Sequence, residues 1–335
     1  MTAPSPRISV VLPFRDGADT LDSALHSIAE QTCGGFECVL IDNGSLDGAA
    51  ALARRRAARD PRFRVVHADG GLVNALNTGI ATARAPLIAR MDADDLAHPT
   101  RLDRQIAALQ ADPSLSISSC LVECFPASAV RDGMRRYAAW LNSLRTPEQI
   151  RDALFVESPI AHPSAVVTRA ALAAVGGYHE TGGPEDYDLW LRLVLSGHRA
   201  AKVPEVLLSW RESPRRLSRV DPRYHRRRFF AAKLAHFPSA VPPADRVQIC
   251  GAGPTGRRWA RALAMRGYSV ERFIDVAPRR WGRTLDGVPV VPPGTPDRRD
   301  GFTLVAAGSP GARERIEGWL QQCGLRAWDD YLAVA

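Results

Sequence analysis

Three aspartates lie within four positions in the segment ARMDADD, at Asp92, Asp94 and Asp95, just after the apolar run APLIA. Carboxylates this close repel one another unless a positive charge lies near them. Carboxylates one residue apart at a strand end can share Mg²⁺ or Mn²⁺, which take few protein ligands when phosphate oxygens supply the others. We therefore expect Asp92 and Asp94 to bind Mn²⁺ or Mg²⁺. The alternative is that the aspartates cap a helix predicted from Pro99 to Gln110.

Short β-rich runs alternate with segments of helical spacing around this motif. The predicted strands are RISVVLPF at 7–14, FECVLID at 36–42, FRVVHA at 63–68 and APLIARMD at 85–92. This alternation predicts an α/β fold with a largely parallel sheet. Polar residues lie at the carboxyl ends of three of the strands, at Arg15 and Asp16, at Asp42 to Ser45 and at the Asp92 cluster. Ligands bind beyond the carboxyl ends of strands in such sheets, so we expect the site there.

The length and composition of the chain predict two domains. A chain of 335 residues with 45% hydrophobic side chains can form two ordinary cores. No apolar run approaches the roughly 18 residues that a membrane span needs. The start, MTAPSPRISVV, lacks a charged region followed by an apolar signal core. We therefore expect a cytoplasmic protein.

The net charge of +8 reflects arginine usage more than a nucleic-acid partner. Of the 44 basic residues only Lys202 and Lys233 are lysines, and no interleaving of basic and aromatic residues is visible, so no nucleic acid is expected. Arginine clusters occur at 54–56, 215–228 and 279–283. Most such runs are solvated faces, and the alternative is attraction to an anionic membrane surface or to a phosphate-bearing substrate. The six cysteines form no CxxC pair, which indicates neither zinc nor a disulfide framework.

Several blocks follow one another along the chain in a recognisable order. They are VVLPFRDGADTLDSALHSI, VLIDNGSLDG, NALNTGIATA and ARMDADDLAHPTRLDRQ, continued by SPIAHPSAVVTRAALAAVGGY, GGPEDYDLWLRL and LLSWRESPRRLSR. Together they resemble the family 2 glycosyltransferases of the GT-A fold, which implies a mixed, mostly parallel sheet. Their order and spacing make the match more specific than any single block. The resemblance covers about residues 7–235 and implies a glycosyltransferase domain at 1–236.

The resemblance also implies roles for the residues on the donor side. Pro13, Arg15, Asp42, Asn77 and Asp92 match positions that bind the nucleotide of a sugar nucleotide, and Asp92 with Asp94 matches the DxD pair that contacts ribose and metal. The metal would act as a Lewis acid and stabilise the charge that develops on the departing nucleoside diphosphate.

Glu185 and Asp186, in GGPEDYDLW, match the family's ED motif, in which the Asp is the general base of an inverting transfer. The pair precedes a predicted helix, whose N-terminal dipole would keep the Asp ionised. Ordinary helix capping is the alternative, and Asp188 is a rival for the role. His162, in AHPS, matches a position on the acceptor side and is otherwise a structural residue. Arg90 either assists the leaving group or forms a structural ion pair with the aspartates.

The WRESPRRLSR block departs from the family pattern. Ser213 stands where relatives often carry a His that completes the metal or diphosphate site, and Ser is a poor metal ligand. Either the diphosphate is held by Arg211, Arg216 and Ser218, or metal affinity is reduced, or activity is. The substitution puts strict metal dependence in doubt.

A glycine-rich turn begins the second domain, predicted at 246–335 after a Pro-rich linker at 237–245. Gly251, Gly253 and Gly256 form GxGxxG between a strand and a helix, and Asp275 follows Gly253 by 22 residues. This spacing fits a dinucleotide fingerprint. Residues 246–310 resemble the Rossmann-like nucleotide-binding domain of bacterial sugar O-acyltransferases, which implies a nucleotide or nucleotide-sugar site. The alternative is a turn kept for helix packing, and the small size of the domain argues against NAD-dependent chemistry.

These observations predict an inverting, metal-assisted glycosyltransferase. It would move a sugar from a nucleoside-diphosphate donor, with a UDP-sugar favoured, to a hydroxyl of a surface-glycan or lipid-linked acceptor, in peripheral contact with the inner membrane surface. The alternative is a regulatory protein in which a catalytically degenerate transferase domain binds nucleotide sugars and reports their level. Ser213 favours this alternative. A pyridine-nucleotide enzyme in the C-terminal domain is a third reading that its size disfavours.

Overall fold

Two β-sheets, each in its own structural unit, organise the chain. The computed structural model describes residues 5–241, 245–294, 301–309 and 311–335. The first unit comprises the described residues up to Ile150 together with Pro159–Phe229, and the second comprises Arg151–Ser158 and Phe230–Ala335.

The first unit contains an eight-stranded mixed sheet. Its strands are β1 (Ile8–Phe14), β2 (Phe36–Asp42), β3 (Phe63–His67), β4 (Leu87–Arg90), β5 (Leu96–Ala97), β6 (Leu115–Phe125), β7 (Val166–Thr168) and β8 (Arg199–Arg211). They are ordered β3-β2-β1-β4-β7-β6-β8-β5. Strands β1 to β4 pair in parallel, β6 pairs in parallel with β8, and β7 and β5 pair antiparallel to their neighbours. The predicted mixed, mostly parallel α/β fold is confirmed.

The described residues up to Ala240 form ten α-helices, of which α6 and α10 extend into the second unit. They are α1 (Ala18–Ala29), α2 (Ala49–Arg59), α3 (Leu72–Thr82), α4 (Arg101–Ala111), α5 (Asp132–Ser143), α6 (Pro147–Ala153), α7 (Arg169–Ala174), α8 (Glu185–Leu195), α9 (Leu217–Val220) and α10 (Arg226–Ala240). Helix α1 buries Leu21, Ala24, Leu25 and Ile28, the spacing that places one apolar face on the sheet. Strands β1 and β2 are buried along their whole length, as expected of parallel strands covered on both faces.

A glycine brings α3 close to the sheet. A Cβ at Gly79 would lie 2.5 Å from Val11 Cγ1 and 2.8 Å from Ile41 Cδ1, so any side chain there would push the helix away from β1 and β2. Helix α3 begins one residue after Gly71 and carries Asn77. The NTGI segment is therefore positioned by direct packing on the two strands that end at the predicted nucleotide site.

The second unit contains a smaller sheet of six described strands. They are β9 (Arg246–Cys250), β10 (Ser269–Ile274), β11 (Thr284–Leu285), β12 (Val288–Val291), β13 (Phe302–Val305) and β14 (Tyr331–Ala333), with helices α11 (Pro254–Ala264) and α12 (Ala312–Gln322). The order is β11-β12-β10-β9-β13-β14, and every pair is parallel except β11 with β12. Strand β9 is central, and the strand order reverses on either side of it.

The predicted linker at 237–245 falls partly within a helix. Helix α10 continues to Ala240, and residues 242–244 lie outside the described residues. The separate domains predicted at 1–236 and 246–335 stay a prediction. Among the helices of the described residues, none is both long enough and apolar enough to cross a lipid bilayer.

Candidate active site

The first sheet brings the predicted donor residues to one edge. Strands β1, β2 and β4 are parallel, and Phe14 at the end of β1 pairs with Asp42 at the end of β2. Strand β4 ends at Arg90, directly before the aspartate cluster. Because the carboxyl ends of parallel strands meet at the same edge, the polar residues that follow them lie at that edge.

Asp92, Asp94 and Asp95 form a tight acidic cluster. One carboxylate oxygen from each lies within 4.8 Å of the others. Burial, with the neighbouring charge of Asp92, raises the pKa of Asp94 to about 6. Burial raises the pKa of Asp95 well above its usual range. Three hard oxygen donors packed this closely form a donor set that fits Mn²⁺ or Mg²⁺.

The cluster does not cap helix α4. That helix has Thr100 at its N-cap position and no side-chain capping hydrogen bond. Asp95 is almost fully buried and its Oδ1 accepts a hydrogen bond from the backbone N–H of Arg211 at 2.7 Å. Its Oδ2 has no hydrogen-bond partner among the described residues. The capping alternative for these aspartates therefore has no support in the geometry.

Arg90 is an ion-pair partner of the cluster. Its Nη2 lies 2.5 Å from Asp92 Oδ1, and its Nη1 donates to the carbonyl of Met91. Burial is the largest influence on Arg90 and opposes its charge, but the nearby acidic groups, with Asp92 first among them, together outweigh it and raise the pKa of Arg90. Arg101, also buried, donates to the Arg90 carbonyl at 2.8 Å. Arg90 thus forms a structural ion pair that fixes the orientation of Asp92, and this is one of the two roles predicted for it.

Two of the three predicted diphosphate residues lie near the acidic cluster. Arg211 donates through Nε to the Asp94 carbonyl at 2.6 Å, and its guanidinium stacks over a phenylalanine ring. Arg216 lies 3.9 Å from the ring centroid of Trp210, and its charge acts to lower the pKa of Asp94. Ser218 is exposed on α9, and no contact among the described residues joins it to the cluster.

The second carboxylate group lies at the start of helix α8, which begins at Glu185. Asp186 is half-buried and its Oδ1 accepts from the Tyr187 N–H at 2.8 Å. Burial first, and the charge of Glu185 second, raise the pKa of Asp186 to about 7, and Asp92 contributes in the same direction. The two carboxylate sites therefore lie close enough to affect each other's charge.

Glu185 is buried and held by a residue that the sequence did not single out. The hydroxyl of Tyr224 donates to its carboxylate, with distances of 2.9 Å to Oε1 and 2.8 Å to Oε2. Burial is the largest influence on Glu185 and raises its pKa. No motif around Tyr224, which follows the run RRLSRVDPR, marks it as a partner of a residue 39 positions earlier.

The neighbours of Asp186 have structural roles. Asp188 is buried and lies 2.8 Å from Arg192 Nε, an ion pair that occupies the rival carboxylate. Trp190 is fully buried, so its ring packs in the core and is not available to stack on a sugar. His162 Nε2 lies 2.6 Å from the Tyr178 hydroxyl, and burial with the nearby Arg90 charge lowers its pKa well below the usual range. His162 is thus a neutral hydrogen-bonding residue inside the site.

The remaining donor-side residues differ in how they are engaged. Asn77 donates to the Tyr178 carbonyl at 2.8 Å and accepts from the Tyr178 N–H at 2.9 Å, so its amide fixes the 178 loop. Asp42 accepts from the Ser45 N–H at 3.0 Å, and Pro13 lies within β1. Arg15 is exposed at the same edge. Their predicted contacts with a nucleotide stay predictions.

In the second unit, most of the fingerprint residues serve the local fold. A Cβ at Gly256 would lie 1.9 Å from the Gly251 carbonyl oxygen, so only glycine fits there. Asp275 accepts from the Ala252 N–H at 2.8 Å and pairs with Arg280 at 2.6 Å. Burial opposes its charge, but these hydrogen bonds outweigh it and lower the pKa of Asp275. A Cβ at Gly253 would meet nothing within 4 Å, so this position alone faces open space.

The first unit thus combines a mixed α/β sheet, an acidic cluster at the carboxyl edge of that sheet and a carboxylate at the start of a nearby helix. Residues 9–176 match the family described as Glycosyl transferase family 2, which is half of the chain. The chain belongs to this family.

Individual relatives agree with this assignment. The chain is 28% identical over 206 residues to the amylovoran biosynthesis glycosyltransferase AmsE of Erwinia amylovora, covering 61% of this chain and 75% of the relative. It is 27% identical over 276 residues to the putative glycosyltransferase EpsE of Bacillus subtilis, covering 81% and 95%.

Solved structures share the fold. TarS of S. aureus, in complex with UDP-GlcNAc, is similar with a TM-score of 0.51 at 16% identity, covering 62% of this chain and 59% of that one, less than two thirds of its length. The mannosyltransferase PcManGT from Pyrobaculum calidifontis, in complex with GDP-Man and Mn²⁺, is similar with a TM-score of 0.51 at 24% identity, covering 79% and 70%. At these identities the likeness shows the fold alone.

Proposed function

We propose that this family 2 glycosyltransferase is an inverting, metal-assisted enzyme that moves a sugar from a nucleoside diphosphate to a hydroxyl of a surface-glycan or lipid-linked acceptor. The observation that carries the proposal is the proximity of two carboxylate groups with different chemistry. Asp92 and Asp94 belong to a cluster that favours a cation, and Asp186 has a pKa of about 7 that is raised in part by Asp92. One site suits the diphosphate and the other suits the acceptor hydroxyl.

On the donor side, Asp92 and Asp94 would hold Mn²⁺ or Mg²⁺ beside the diphosphate. When bound, the cation would supply Lewis-acid stabilisation of the negative charge on the departing group. Arg211 and Arg216 add positive charge at the same place, which supports their proposed contact with the phosphates. Arg90 keeps Asp92 oriented throughout.

On the acceptor side, Asp186 accepts the proton of the attacking hydroxyl. The acceptor oxygen forms a bond to the anomeric carbon while the bond from that carbon to the phosphate oxygen breaks, and the nucleoside diphosphate leaves with the electron pair. Attack from the face opposite the leaving group inverts the anomeric configuration. The pKa of about 7 suits a general base near neutral pH, because the ionised form is populated and still takes up a proton readily.

The relatives support the substrate class. A relative named for amylovoran biosynthesis points to a bacterial surface polysaccharide, and TarS with UDP-GlcNAc supports a UDP-sugar donor. The complex of PcManGT with GDP-Man and Mn²⁺ supports a GDP-sugar as the alternative donor. Such an enzyme would work in the cytoplasm, where nucleotide sugars are made, and at the inner face of the membrane.

The second unit is proposed to bind a nucleotide or nucleotide sugar at the turn of Gly251, Gly253 and Gly256. The open space at Gly253 and the reversal of strand order beside β9 support this site. Asp275 would have to contact the ligand in addition to its present partners. Isothermal titration of the native full chain and of the Gly253→Val variant with nucleotide sugars tests the site. The bulkier residue fills the open space at this position, so the variant should lose one of two binding events while the donor site of the first unit still binds.

Ser213 supports a second candidate, a degenerate transferase that senses nucleotide sugars. The Ser213→His variant separates the two, because an imidazole at this position should strengthen Mn²⁺ binding if the residue reaches the metal. An enzyme whose native activity already depends on Mn²⁺ argues against degeneration. If the native protein binds donors without turning them over and only the Ser213→His variant is active, the result favours the sensor.

Release of nucleoside diphosphate from UDP-, GDP- and dTDP-sugars tests the proposal directly. We expect one donor to be hydrolysed slowly without acceptor, faster with Mn²⁺ and not with chelator. Asp186→Asn should bind that donor and turn it over poorly, whereas Asp188→Asn should keep turnover once its fold is verified by circular dichroism. Loss of turnover in Asp188→Asn alone would reassign the base.

A further inference from the structure

A strongly basic surface segment, residues 215–228, adjoins the proposed acceptor side. It contains seven arginines and a single acidic residue, Asp221. It comprises α9, a 3₁₀ turn at Pro222–Tyr224 and the first residues of α10. We call residues 215–228 the basic segment.

Four of the seven arginines in the basic segment have no ion pair with any residue that the structure describes. Three others are engaged, since Arg216 and Arg219 pair with Glu212 and Arg223 pairs with Asp221. The four that have no ion pair among the described residues are Arg215, Arg226, Arg227 and Arg228, and all four are exposed. Unpaired exposed guanidinium groups concentrated in one segment favour an anionic partner.

Exposed aliphatic side chains lie among these arginines. Leu217 is 41% exposed and Val220 is 61% exposed, and large apolar side chains this exposed are few among the described residues. The two lie three positions apart on α9, so they project from the same side of that turn. Aliphatic groups interleaved with arginines are the pattern of a surface that lies in the headgroup region of a membrane.

The basic segment is joined to the residues around the base. Tyr224, the only aromatic residue in the segment, donates to the carboxylate of Glu185. A Cβ at Gly183 would lie 3.8 Å from Arg228 Cβ, which places Arg228 beside the loop that leads into Glu185 and Asp186. A surface bound by the segment would therefore lie next to the side of the site where the acceptor enters.

We propose that the basic segment docks the enzyme on an anionic lipid bilayer, with its free arginines on headgroup phosphates and Leu217 and Val220 inserted among the lipids. The proposal rests on the proposed function, because it explains how a lipid-linked acceptor would be presented to Asp186. A nucleic acid is a poorer fit, since the one aromatic side chain is committed to Glu185 and cannot stack on a base.

The other arginine clusters lack this combination. The cluster at 54–56 lies on α2, with Arg56 over the ring of Phe63 and no exposed aliphatic residue within it. The cluster at 279–283 contains the exposed Trp281, but its Arg280 is paired with Asp275 and it belongs to the second unit. Both clusters serve as internal comparisons for the experiment.

Sedimentation of the full chain with sucrose-loaded vesicles tests the proposal. The vesicles contain phosphatidylcholine alone or with phosphatidylglycerol, at low and high salt. Each arginine at an anionic surface contributes about fivefold to binding, so Arg215→Gln/Arg226→Gln/Arg227→Gln should lower the partition coefficient about a hundredfold. The matched control Arg54→Gln/Arg55→Gln/Arg59→Gln, exposed residues on α2, should change it less than threefold.

A second variant separates a bilayer from a soluble polyanion. Leu217→Ser/Val220→Ser keeps the charge and should weaken vesicle binding at high salt, where screening leaves the apolar contribution. Unchanged vesicle binding in this variant would overturn the bilayer in favour of a soluble anionic partner. Three other results would also overturn the proposal. Vesicle binding could fall equally in both arginine triples, it could fall in Arg279→Gln/Arg283→Gln, or the native chain could bind neutral vesicles as well as anionic ones.

Failure of this proposal is distinguishable from failure of the proposed function. Vesicle binding needs neither donor nor metal, and donor hydrolysis in solution needs no vesicle. The arginine triple at 215, 226 and 227 should therefore hydrolyse donor at the native rate while losing vesicle binding. Native binding to anionic vesicles without any donor turnover would leave the docking surface standing and reject the transferase mechanism.

Discussion

The pH dependence of donor turnover offers a sharp test of the base. Burial first, and the Glu185 charge second, raise the pKa of Asp186 to about 7. A general base acts in its ionised form, and raising the pKa of an acid leaves that form populated only at higher pH. We therefore expect the rate of sugar transfer to rise with pH and to level off above about pH 7.

The size of the effect follows from the same pKa. At pH 5 about 1% of Asp186 would be ionised, whereas an aspartate with an ordinary pKa would be more than about 90% ionised. The rate should thus fall about tenfold for each pH unit below 6. Asp186→Asn removes the base and should lower the rate about 10²- to 10⁴-fold at the plateau.

The Glu185→Gln variant tests the cause of the shift. The amide removes the negative charge beside Asp186 and keeps an oxygen that can accept from the Tyr224 hydroxyl. The pKa of Asp186 should therefore fall, and the inflection of the rate profile should move to lower pH. Asp132→Asn, an exposed carboxylate on α5, is the matched control and should leave the inflection in place.

Initial rates between pH 4.5 and 9, with saturating donor and Mn²⁺ and with a single acceptor, would provide the profiles. Solvent-isotope effects on the same rates would show whether proton transfer limits turnover. A rate profile that is flat from pH 5 to 8 in the native enzyme would refute Asp186 as the base. An inflection that moves to higher pH in Glu185→Gln would refute Glu185 as a cause of the raised pKa.

Three further predictions concern the metal, the glycine turn and the tyrosine. Asp94→Asn should weaken Mn²⁺ binding at least about tenfold, as read from the EPR signal of free Mn²⁺, and an unchanged titration would contradict a metal role. Gly256→Ala should lower the free energy of unfolding by about 3 kcal/mol because its Cβ meets a backbone oxygen, whereas Gly253→Ala should stay within about 0.5 kcal/mol in denaturant titrations. Tyr224→Phe should cost about 1–3 kcal/mol in the same assay by leaving the buried Glu185 without its donor, and a neutral result would contradict that hydrogen bond.

The sequence predicts the main strands and helices well because their signals are local. The run at 36–42 coincides with β2, and the run at 7–14 differs from β1 by one residue. The run at 85–92 is longer than β4, which ends at Arg90, because the aspartates that follow turn toward one another instead of continuing the ladder. Where periodicity and turn residues act within a few positions, they are enough to define an element.

The partners within the site could not be predicted from the sequence, because they are distant along the chain. Asp95 contacts the backbone of Arg211, 116 positions away, and Glu185 contacts Tyr224. The amide of Asn77 holds the backbone of Tyr178, 101 positions away, and its contact with a nucleotide stays a prediction. Such pairings depend on how the sheet brings β4, β8 and α8 together, and no local pattern records them.

Burial raises the pKa of both Asp94 and Asp186, so the two sites should lose their functional forms over the same range of pH. Asp94, with a pKa of about 6, releases a proton before it can bind a cation, and Asp186, with a pKa of about 7, releases one before it can accept the proton of the acceptor. Both functional forms are deprotonated and both are lost as the pH falls. If metal and donor are subsaturating, the logarithm of the rate should then fall with a slope approaching two below pH 6, whereas saturating Mn²⁺ should restore a slope of one, because excess cation displaces the proton from Asp94 but not from Asp186.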